Sequence, residues 1–135
     1  MTTAYLALGT NLGDKARNLQ TAMDWLNRQA GTITARSSIH RTAPWGFESA
    51  NEFLNMAVRI DTDLPPLDLL HAVKAIERRM GRLPTRDSGY HDRLIDIDII
   101  LYGNVTCASD ELTLPHPLYR QRPFVLNPLN EIKDV

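Results

Sequence analysis

The sequence predicts an α+β fold whose elements follow the order β-α-β-β-α-β, the ferredoxin-like pattern. Two segments repeat apolar residues every three or four positions, as helices do, and four segments are rich in alternating apolar or β-branched residues, as strands are. The chain of 135 residues is long enough to bury one core and too short for two. We therefore predict a single domain over residues 1–135, with an antiparallel sheet, two helices on one face and a C-terminal extension.

The first half of the chain supplies one helix and three strands. The apolar stretch AYLALG (4–9) predicts the first strand, and Asp14 can cap the helix that follows, which Gly31 ends. Residues 32–42 and 53–62 predict the second and third strands. The helix is predicted from apolar residues at spacings of three and four, namely Ala16, Leu19, Met23, Leu26 and Ala30.

The second half supplies the other helix, the last strand of the pattern and the extension. Pro65 and Pro66 open the helix, and Gly81 follows its end. One side of this helix is formed by Leu69, Leu70, Val73, Ile76, Glu77 and Met80. A strand is predicted over 95–103. For the extension, 104–135, we expect a loop, a short helix near 117–122 and a final strand at FVLN (124–127).

Composition excludes several classes of protein. A net charge of −1 and a pI near 6.4 give no overall attraction for nucleic acid or for a membrane surface. The start MTTAYLALG lacks the pattern of a signal peptide, and no apolar run approaches the ~20 residues of a membrane span. The single cysteine, Cys107, excludes an internal disulfide. We expect a cytoplasmic protein.

Two aspartates interrupt the apolar strand DRLIDIDIILYG (92–103). Because strand side chains alternate, Asp96 and Asp98 should share one face with Ile100 and Tyr102, while Ile95, Ile97, Ile99 and Leu101 share the other. The two carboxylates could be solvated surface groups. Alternatively they could hold a divalent cation such as Mg²⁺, which takes oxygen ligands and leaves other positions to water and phosphates.

Two connections are longer than this architecture requires, which favours a functional role. Residues 42–52 combine a proline, a tryptophan and a glycine, and residues 81–93 combine two glycines with three arginines. We interpret the second loop as a lid in which Arg82 and Arg93 bind phosphate.

The stretch GTNLGDK after the first strand is not a P-loop. Three residues separate Gly9 from Gly13, where the motif needs four before Gly-Lys-Ser/Thr, and Asp14 follows. We expect a tight turn in which both glycines adopt unusual dihedral angles.

Seven blocks along the chain carry a family resemblance. They are LGTNLGD at the first turn, RTAPWG (41–46), FLNMAV (53–58), IERRMGR (76–82), RLIDIDIILYG (93–103), LTLPHP (112–117) and RPFVLNPL (122–129). In this order they resemble the 6-hydroxymethyl-7,8-dihydropterin pyrophosphokinases of folate biosynthesis, which move pyrophosphate from ATP onto a pterin hydroxymethyl group.

The resemblance implies a role for particular residues. Asp96 and Asp98 match the pair that holds two Mg²⁺ ions between ATP and the pterin hydroxyl. Phosphate-binding arginines are matched by Arg82 and Arg93. The pterin pocket is matched by Thr42 and Trp45 through their backbone, Asn55 through its amide, and Phe53 and Phe124 as stacking faces. Positions around ATP are matched by Leu70, Lys74, Glu77, Ile99, Leu112, Thr113, His116, Arg120 and Arg122.

The family chemistry is attack by the pterin hydroxyl on the β-phosphorus of ATP, with AMP leaving, and we expect a monomer that binds these two small molecules. Where many members have Trp-Gly-Pro-Arg before the aspartates, this chain has Tyr-His-Asp-Arg (90–93), which affects the lid. Phe53 stands where a tyrosine is frequent. His40, His71 and His91 match no family role.

Two other classes are compatible with parts of the sequence. A Mg²⁺-dependent nuclease or phosphodiesterase could use the same aspartates, but it should carry a basic stripe and a water-activating residue, and neither is obvious in a chain with this charge balance. A binding module without catalysis explains the fold but leaves the aspartates and the arginine-rich loop without a role.

Overall fold

The computed structural model describes residues 1–43, 52–81 and 94–133. The strands are β1 (Thr2–Thr10), β2 (Thr32–Arg36), β3 (His40–Thr42), β4 (Phe53–Thr62), β5 (Asp96–Tyr102), β6 (Cys107–Ala108) and β7 (Thr113–Leu114). The helices are α1 (Lys15–Gln29), α2 (Pro66–Arg79) and α3 (Pro123–Ile132), with a 3₁₀ turn at Tyr119–Gln121. None of the described helices is long and apolar enough to cross a membrane.

The main sheet is antiparallel and has the order β2-β4-β1-β5, with β3 also paired to β4. Strands β6 and β7 form a separate small hairpin. This arrangement, with α1 after β1 and α2 after β4, confirms the predicted α+β order. It places β1 at the centre of the sheet and β5 at one edge.

The predicted strand over 32–42 is wrong in one respect, because the structure divides it into β2 and β3. The break lies at Ser37, which is 3% exposed. The Ser37 backbone N–H donates to the carbonyl of Ala57, and the Ala57 N–H donates to Ser37 Oγ, each at 2.9 Å. A side-chain oxygen thus replaces a backbone carbonyl in the ladder, so regular pairing stops and resumes at His40.

Helices α1 and α2 cover one face of the sheet, as predicted. Asp14 caps α1 by accepting a hydrogen bond from the Arg17 N–H at 3.2 Å. The main core lies between these helices and the sheet and includes Leu6, Leu8, Leu19, Leu26, Val58, Ile60, Leu69, Val73 and Ile76.

The expected final strand at FVLN is wrong, since these residues lie within α3. Pro123 occupies the first turn, where a missing N–H costs nothing. Val125 and Leu129 pack on the other face of the sheet, against Ala57 and Ile100. The sheet is therefore covered on both faces, and α3 covers the face that the aspartates share.

The alternation along β5 is also partly wrong. A register irregularity at Tyr5/Leu6 pairs Tyr5 with Leu101 but Leu6 with Ile99. Leu101 consequently packs in the α3 cluster, and Tyr102 turns to the α1–α2 face, where its hydroxyl donates to the Leu64 carbonyl at 2.5 Å. Asp96 and Asp98 precede the irregularity, so the prediction that they share a face is unaffected.

Candidate active site

Asp96 and Asp98 open β5, and both side chains are half-buried. Their strand is fixed at its start, because the Thr10 hydroxyl at the end of β1 donates to the Leu94 carbonyl at 2.5 Å. Because Asp96 and Asp98 are two positions apart along the strand, their Cα atoms lie roughly 6.6 Å from each other. Neighbouring carboxylates raise the cost of ionising each other unless a cation lies nearby, so the pair favours cation binding.

A row of residues crosses three strands on the face that α3 covers. Asn55 of β4 pairs with Gly9 of β1, which pairs with Asp96 of β5. With strands about 4.8 Å apart, Asn55 and Asp96 lie roughly 10 Å from each other. Both aspartates, Gly9, Asn55 and Phe124 line one cavity of about 20 Å³. The sheet register therefore brings the predicted pterin residues beside the predicted metal ligands.

The amide of Asn55 is oriented by its two neighbours. It is 6% exposed, and its Nδ2 donates to the hydroxyl of Thr42 at 2.7 Å. On the other side, a Cβ at Gly9 would lie 3.1 Å from Asn55 Oδ1. Thr42 thus contacts the site through its side chain, in addition to the backbone role that the resemblance implies.

The expected dihedral angles are correct for only one of the two glycines in the first turn. Gly13 has a φ of +69°, whereas Gly9 is not among the glycines with positive φ. The constraint at position 9 is therefore the limited space beside Asn55, and not the backbone conformation.

A cleft of about 290 Å³ lies at the outer edge of β5, between α2 and the β6–β7 hairpin, and both aspartates line it. Seven residues predicted to surround ATP also line it: Leu70, Lys74, Glu77, Ile99, Leu112, Thr113 and His116. The lining further includes Glu111, which sequence reasoning missed, and whose carboxylate lies 3.0 Å from His71 Nε2 on α2. Its position just before Leu112 and Thr113 was the available signal.

Two polar residues, one buried and one half-buried, shape the cleft. Glu77 is 4% exposed, and its Oε2 accepts a hydrogen bond from the Ile97 N–H at 2.8 Å. His116 is held by its backbone N–H, which donates to the Ile100 carbonyl at 2.9 Å. Burial lowers the pKa of His116 below its ordinary 6.5, the positive charge of Arg122 lowers it further, and Asp96 opposes both. These surroundings therefore favour the neutral imidazole.

The remaining predicted residues divide into two groups. Phe53 begins β4 near Gly9, the Arg122 guanidinium lies 6.0 Å from the centre of the Phe124 ring, and Arg120 lies 5.2 Å from the Tyr119 ring. Neither arginine is among the residues that line the cleft. Trp45, Arg82 and Arg93 lie outside the described residues, as do most of the two long loops, so the lid interpretation stays a prediction.

The donor set around the aspartates suits a hard cation. Within residues 1–43, 52–81 and 94–133 no group of three potential metal-ligating side chains occurs. Two carboxylates on one face that open onto a cleft match Mg²⁺, which commonly binds one or two protein carboxylates and completes its shell with water and substrate phosphates.

Comparison with known proteins gives a consistent result across the chain. The family model for 7,8-dihydro-6-hydroxymethylpterin-pyrophosphokinase (HPPK) matches residues 5–134. A Porphyromonas gingivalis protein named 2-amino-4-hydroxy-6-hydroxymethyldihydropteridine pyrophosphokinase is 45% identical over 134 residues, covering 98% of this chain and 91% of its own length. A Bacillus subtilis protein of the same name is 43% identical, covering 96% of this chain and 77% of its own length.

Solved structures support the fold. The structure of an HPPK-DHPS in complex with substrates superposes with a TM-score of 0.80 at 17% identity, over 97% of this chain. The match covers 40% of that longer chain, so this protein corresponds to one part of it.

Proposed function

The chain belongs to the HPPK family, and we propose that it performs the reaction of that family at the cleft and cavity that meet at Asp96 and Asp98. In this reaction pyrophosphate is transferred from ATP to the hydroxymethyl group of 6-hydroxymethyl-7,8-dihydropterin in folate synthesis. One observation supports the assignment above the others. The two aspartates line both the cleft beside α2 and the cavity beside Asn55. A group held at these carboxylates can therefore reach both substrates.

We assign the nucleotide to the cleft. Leu70, Ile99 and Leu112 offer apolar surface for a base, and Lys74 offers a positive charge. The Nδ1 atom of His116 is buried and has no hydrogen-bond partner among the described residues. Because an unpaired buried polar atom is costly, we propose that a bound nucleotide supplies its partner.

We assign the pterin to the α3 side of the sheet. An amide presents a donor and an acceptor side by side, which suits the polar edge of a flat heterocycle, and aromatic rings supply stacking area. Asn55, with Phe53 and Phe124, provides these groups, and the family resemblance adds Trp45. The cavity of about 20 Å³ holds roughly one water molecule, so its walls must separate when the pterin enters.

Asp96 and Asp98 would hold Mg²⁺, and we propose two ions as the family resemblance implies. When bound there, Mg²⁺ would supply positive charge beside the phosphoryl oxygens and would favour loss of the hydroxyl proton. The protein's own contribution is positioning: the cleft holds the β-phosphorus of ATP, and Asn55 directs the pterin so that its hydroxymethyl oxygen faces that phosphorus. A bond forms from this oxygen to the β-phosphorus as the hydroxyl proton passes to water, the bond from that phosphorus to the oxygen of the α-phosphate breaks, and AMP leaves with that oxygen.

The direct test is to incubate the protein with ATP, Mg²⁺ and 6-hydroxymethyl-7,8-dihydropterin and to separate the nucleotides by chromatography. We expect AMP and pterin diphosphate in equal amounts. Formation of ADP would show γ-phosphoryl transfer instead. We also propose a cytoplasmic monomer, for which gel filtration with light scattering tests the mass.

The lid hypothesis needs a separate measurement. If Arg82 and Arg93 close on the phosphates, a non-hydrolysable ATP analogue should tighten pterin binding, and pterin should tighten analogue binding by the same factor. Calorimetric titration of pterin with and without the analogue measures this coupling. Equal pterin affinities in the two titrations would contradict a lid.

A further inference from the structure

Three polar residues join β3 and the segment just before it to the last turn of α3. The Ser38 backbone N–H donates to Glu131 Oε1 at 2.8 Å, and the Ser38 hydroxyl donates to Glu131 Oε2 at 2.8 Å. His40 Nε2 contacts the same Oε2. We call Ser38, His40 and Glu131 the β3–α3 clasp. These residues match no role in the resemblance and line neither the cleft nor the cavity.

A serine, a histidine and an acid together suggest a hydrolytic triad, but the geometry excludes one. The relay requires the serine at one ring nitrogen and the acid at the other. Here a single nitrogen, His40 Nε2, faces both Ser38 Oγ at 3.3 Å and the Glu131 carboxylate. The serine hydroxyl also donates to that carboxylate. These groups hold two elements together and do not activate a nucleophile.

The ionised carboxylate is the form that the clasp binds. The hydrogen bond from the Ser38 backbone, followed by those from the His40 and Ser38 side chains, lowers the pKa of Glu131 from 4.5 to about 2. A carboxylate that accepts several donors favours its charged form. The Glu131 carboxylate of the clasp is therefore ionised at neutral pH.

The clasp connects the two walls of the predicted pterin site. His40 pairs with Asn55 in the sheet register, and β3 also carries Thr42, which receives the hydrogen bond from Asn55. On α3, Phe124 and Glu131 are seven residues apart, which places them on one helix face and about 10.5 Å apart along the axis. One wall thus carries Asn55 and the other carries Phe124, and the clasp joins them two helical turns from the site.

We infer that the β3–α3 clasp positions α3 for pterin binding. It fixes the C-terminal turn of the helix against β3, so that the Phe124 end moves while the other end stays in place when the cavity opens. Ser38, His40 and Glu131 are therefore positioning residues, and the inference rests on the proposed pterin site. Without the clasp, the separation of Phe124 from Asn55 varies and pterin affinity falls, while the nucleotide cleft on the far side of β5 is unaffected.

The test is steady-state kinetics with each substrate varied in turn. In Glu131→Ala we expect the KM for pterin to rise on the order of tenfold, the change that about 1.4 kcal/mol produces. The KM for ATP should stay at the wild-type value. Glu131→Gln should show a smaller rise, because an amide oxygen still accepts the Ser38 N–H. Asn130→Ala, at the exposed neighbouring position, is the matched control and should behave as wild type.

A purely stabilising role predicts a lower melting temperature with an unchanged pterin KM, and that result would overturn the inference. Equal increases in both KM values would also overturn it. Should Glu131→Ala fail to fold, Ser38→Ala removes one donor and supports the same comparison. Asn55→Ala separates the two proposals. If the pterin KM of Asn55→Ala is unchanged, the pterin site itself is misplaced. If the pterin KM rises in Asn55→Ala but not in Glu131→Ala, only the role of the clasp is refuted.

Discussion

Gly9→Ala is a sharp test of the site because strand propensity favours the substitution, whereas the contact of the added Cβ with Asn55 opposes it. In a strand interior, alanine is favoured over glycine by about 0.5–1 kcal/mol, so propensity alone predicts a slightly more stable protein. The added Cβ, however, would lie 3.1 Å from Asn55 Oδ1. β1 is fixed between β4 and β5, so the amide must give way by a few tenths of an ångström.

That displacement disturbs the hydrogen bond from Asn55 Nδ2 to Thr42 Oγ1, which is 2.7 Å long, and it moves the amide that we propose binds the edge of the pterin. Loss of one hydrogen bond is worth about 0.5–1.5 kcal/mol, which corresponds to a rise of about twofold to twelvefold in the KM for pterin. The KM for ATP should not change. Urea unfolding should show that the variant is folded and close to wild type in stability.

The double variant Gly9→Ala/Asn55→Ala identifies the route of the effect. If Gly9 acts through the amide, the double variant should have the same pterin KM as Asn55→Ala alone, because the residues act as one unit. Independent, additive losses would refute the reasoning, as would a Gly9→Ala protein with unchanged pterin KM.

Three further predictions follow from the remaining site residues. Asp96→Ala and Asp98→Ala should each abolish AMP formation. Both variants should stay folded, because removing one carboxylate relieves the repulsion between the pair. Wild-type turnover in either variant would exclude the metal assignment. Glu77→Ala should lower the free energy of unfolding by about 1–3 kcal/mol in urea titrations, because the Ile97 N–H loses its acceptor, whereas Glu77→Gln should cost less. Because the pKa of Glu131 is lowered, its contribution to stability is present above pH 4.5 and is lost as the pH falls to about 2. Glu131→Gln should therefore flatten the pH profile of the unfolding free energy between these two values. An unchanged profile would contradict the assignment.

The sequence predicted the elements whose local pattern agrees with their tertiary role. The spacing from Leu19 to Leu26 and the cap at Asp14 describe α1 correctly, and the alternation around Asp96 and Asp98 places both on one face. Predictions failed where tertiary contacts override local pattern. The irregularity that redirects Leu101 and Tyr102 depends on pairing with β1, a partner far away in sequence.

Helix α3 was misassigned because a short apolar run fits a strand or a helix equally well. Pro128, which lies inside the helix, also argues against helix by local propensity. The signal that was available is the spacing of Val125, Leu129 and Ile132, which falls on one helical face. The clasp and the contact of Gly9 with Asn55 were beyond sequence reasoning, because each joins residues that only the folded chain brings together.

The hydrogen bond between Glu77 and Ile97 also bears on aggregation. β5 is an edge strand, and the unpaired backbone of an edge strand is a template on which another chain can add. Here the Ile97 N–H is occupied by the Glu77 carboxylate, and the Ile100 carbonyl by the His116 N–H. An incoming strand would have to displace both. The edge that carries Asp96 and Asp98 therefore lines the open cleft and is at the same time closed to strand addition at these positions.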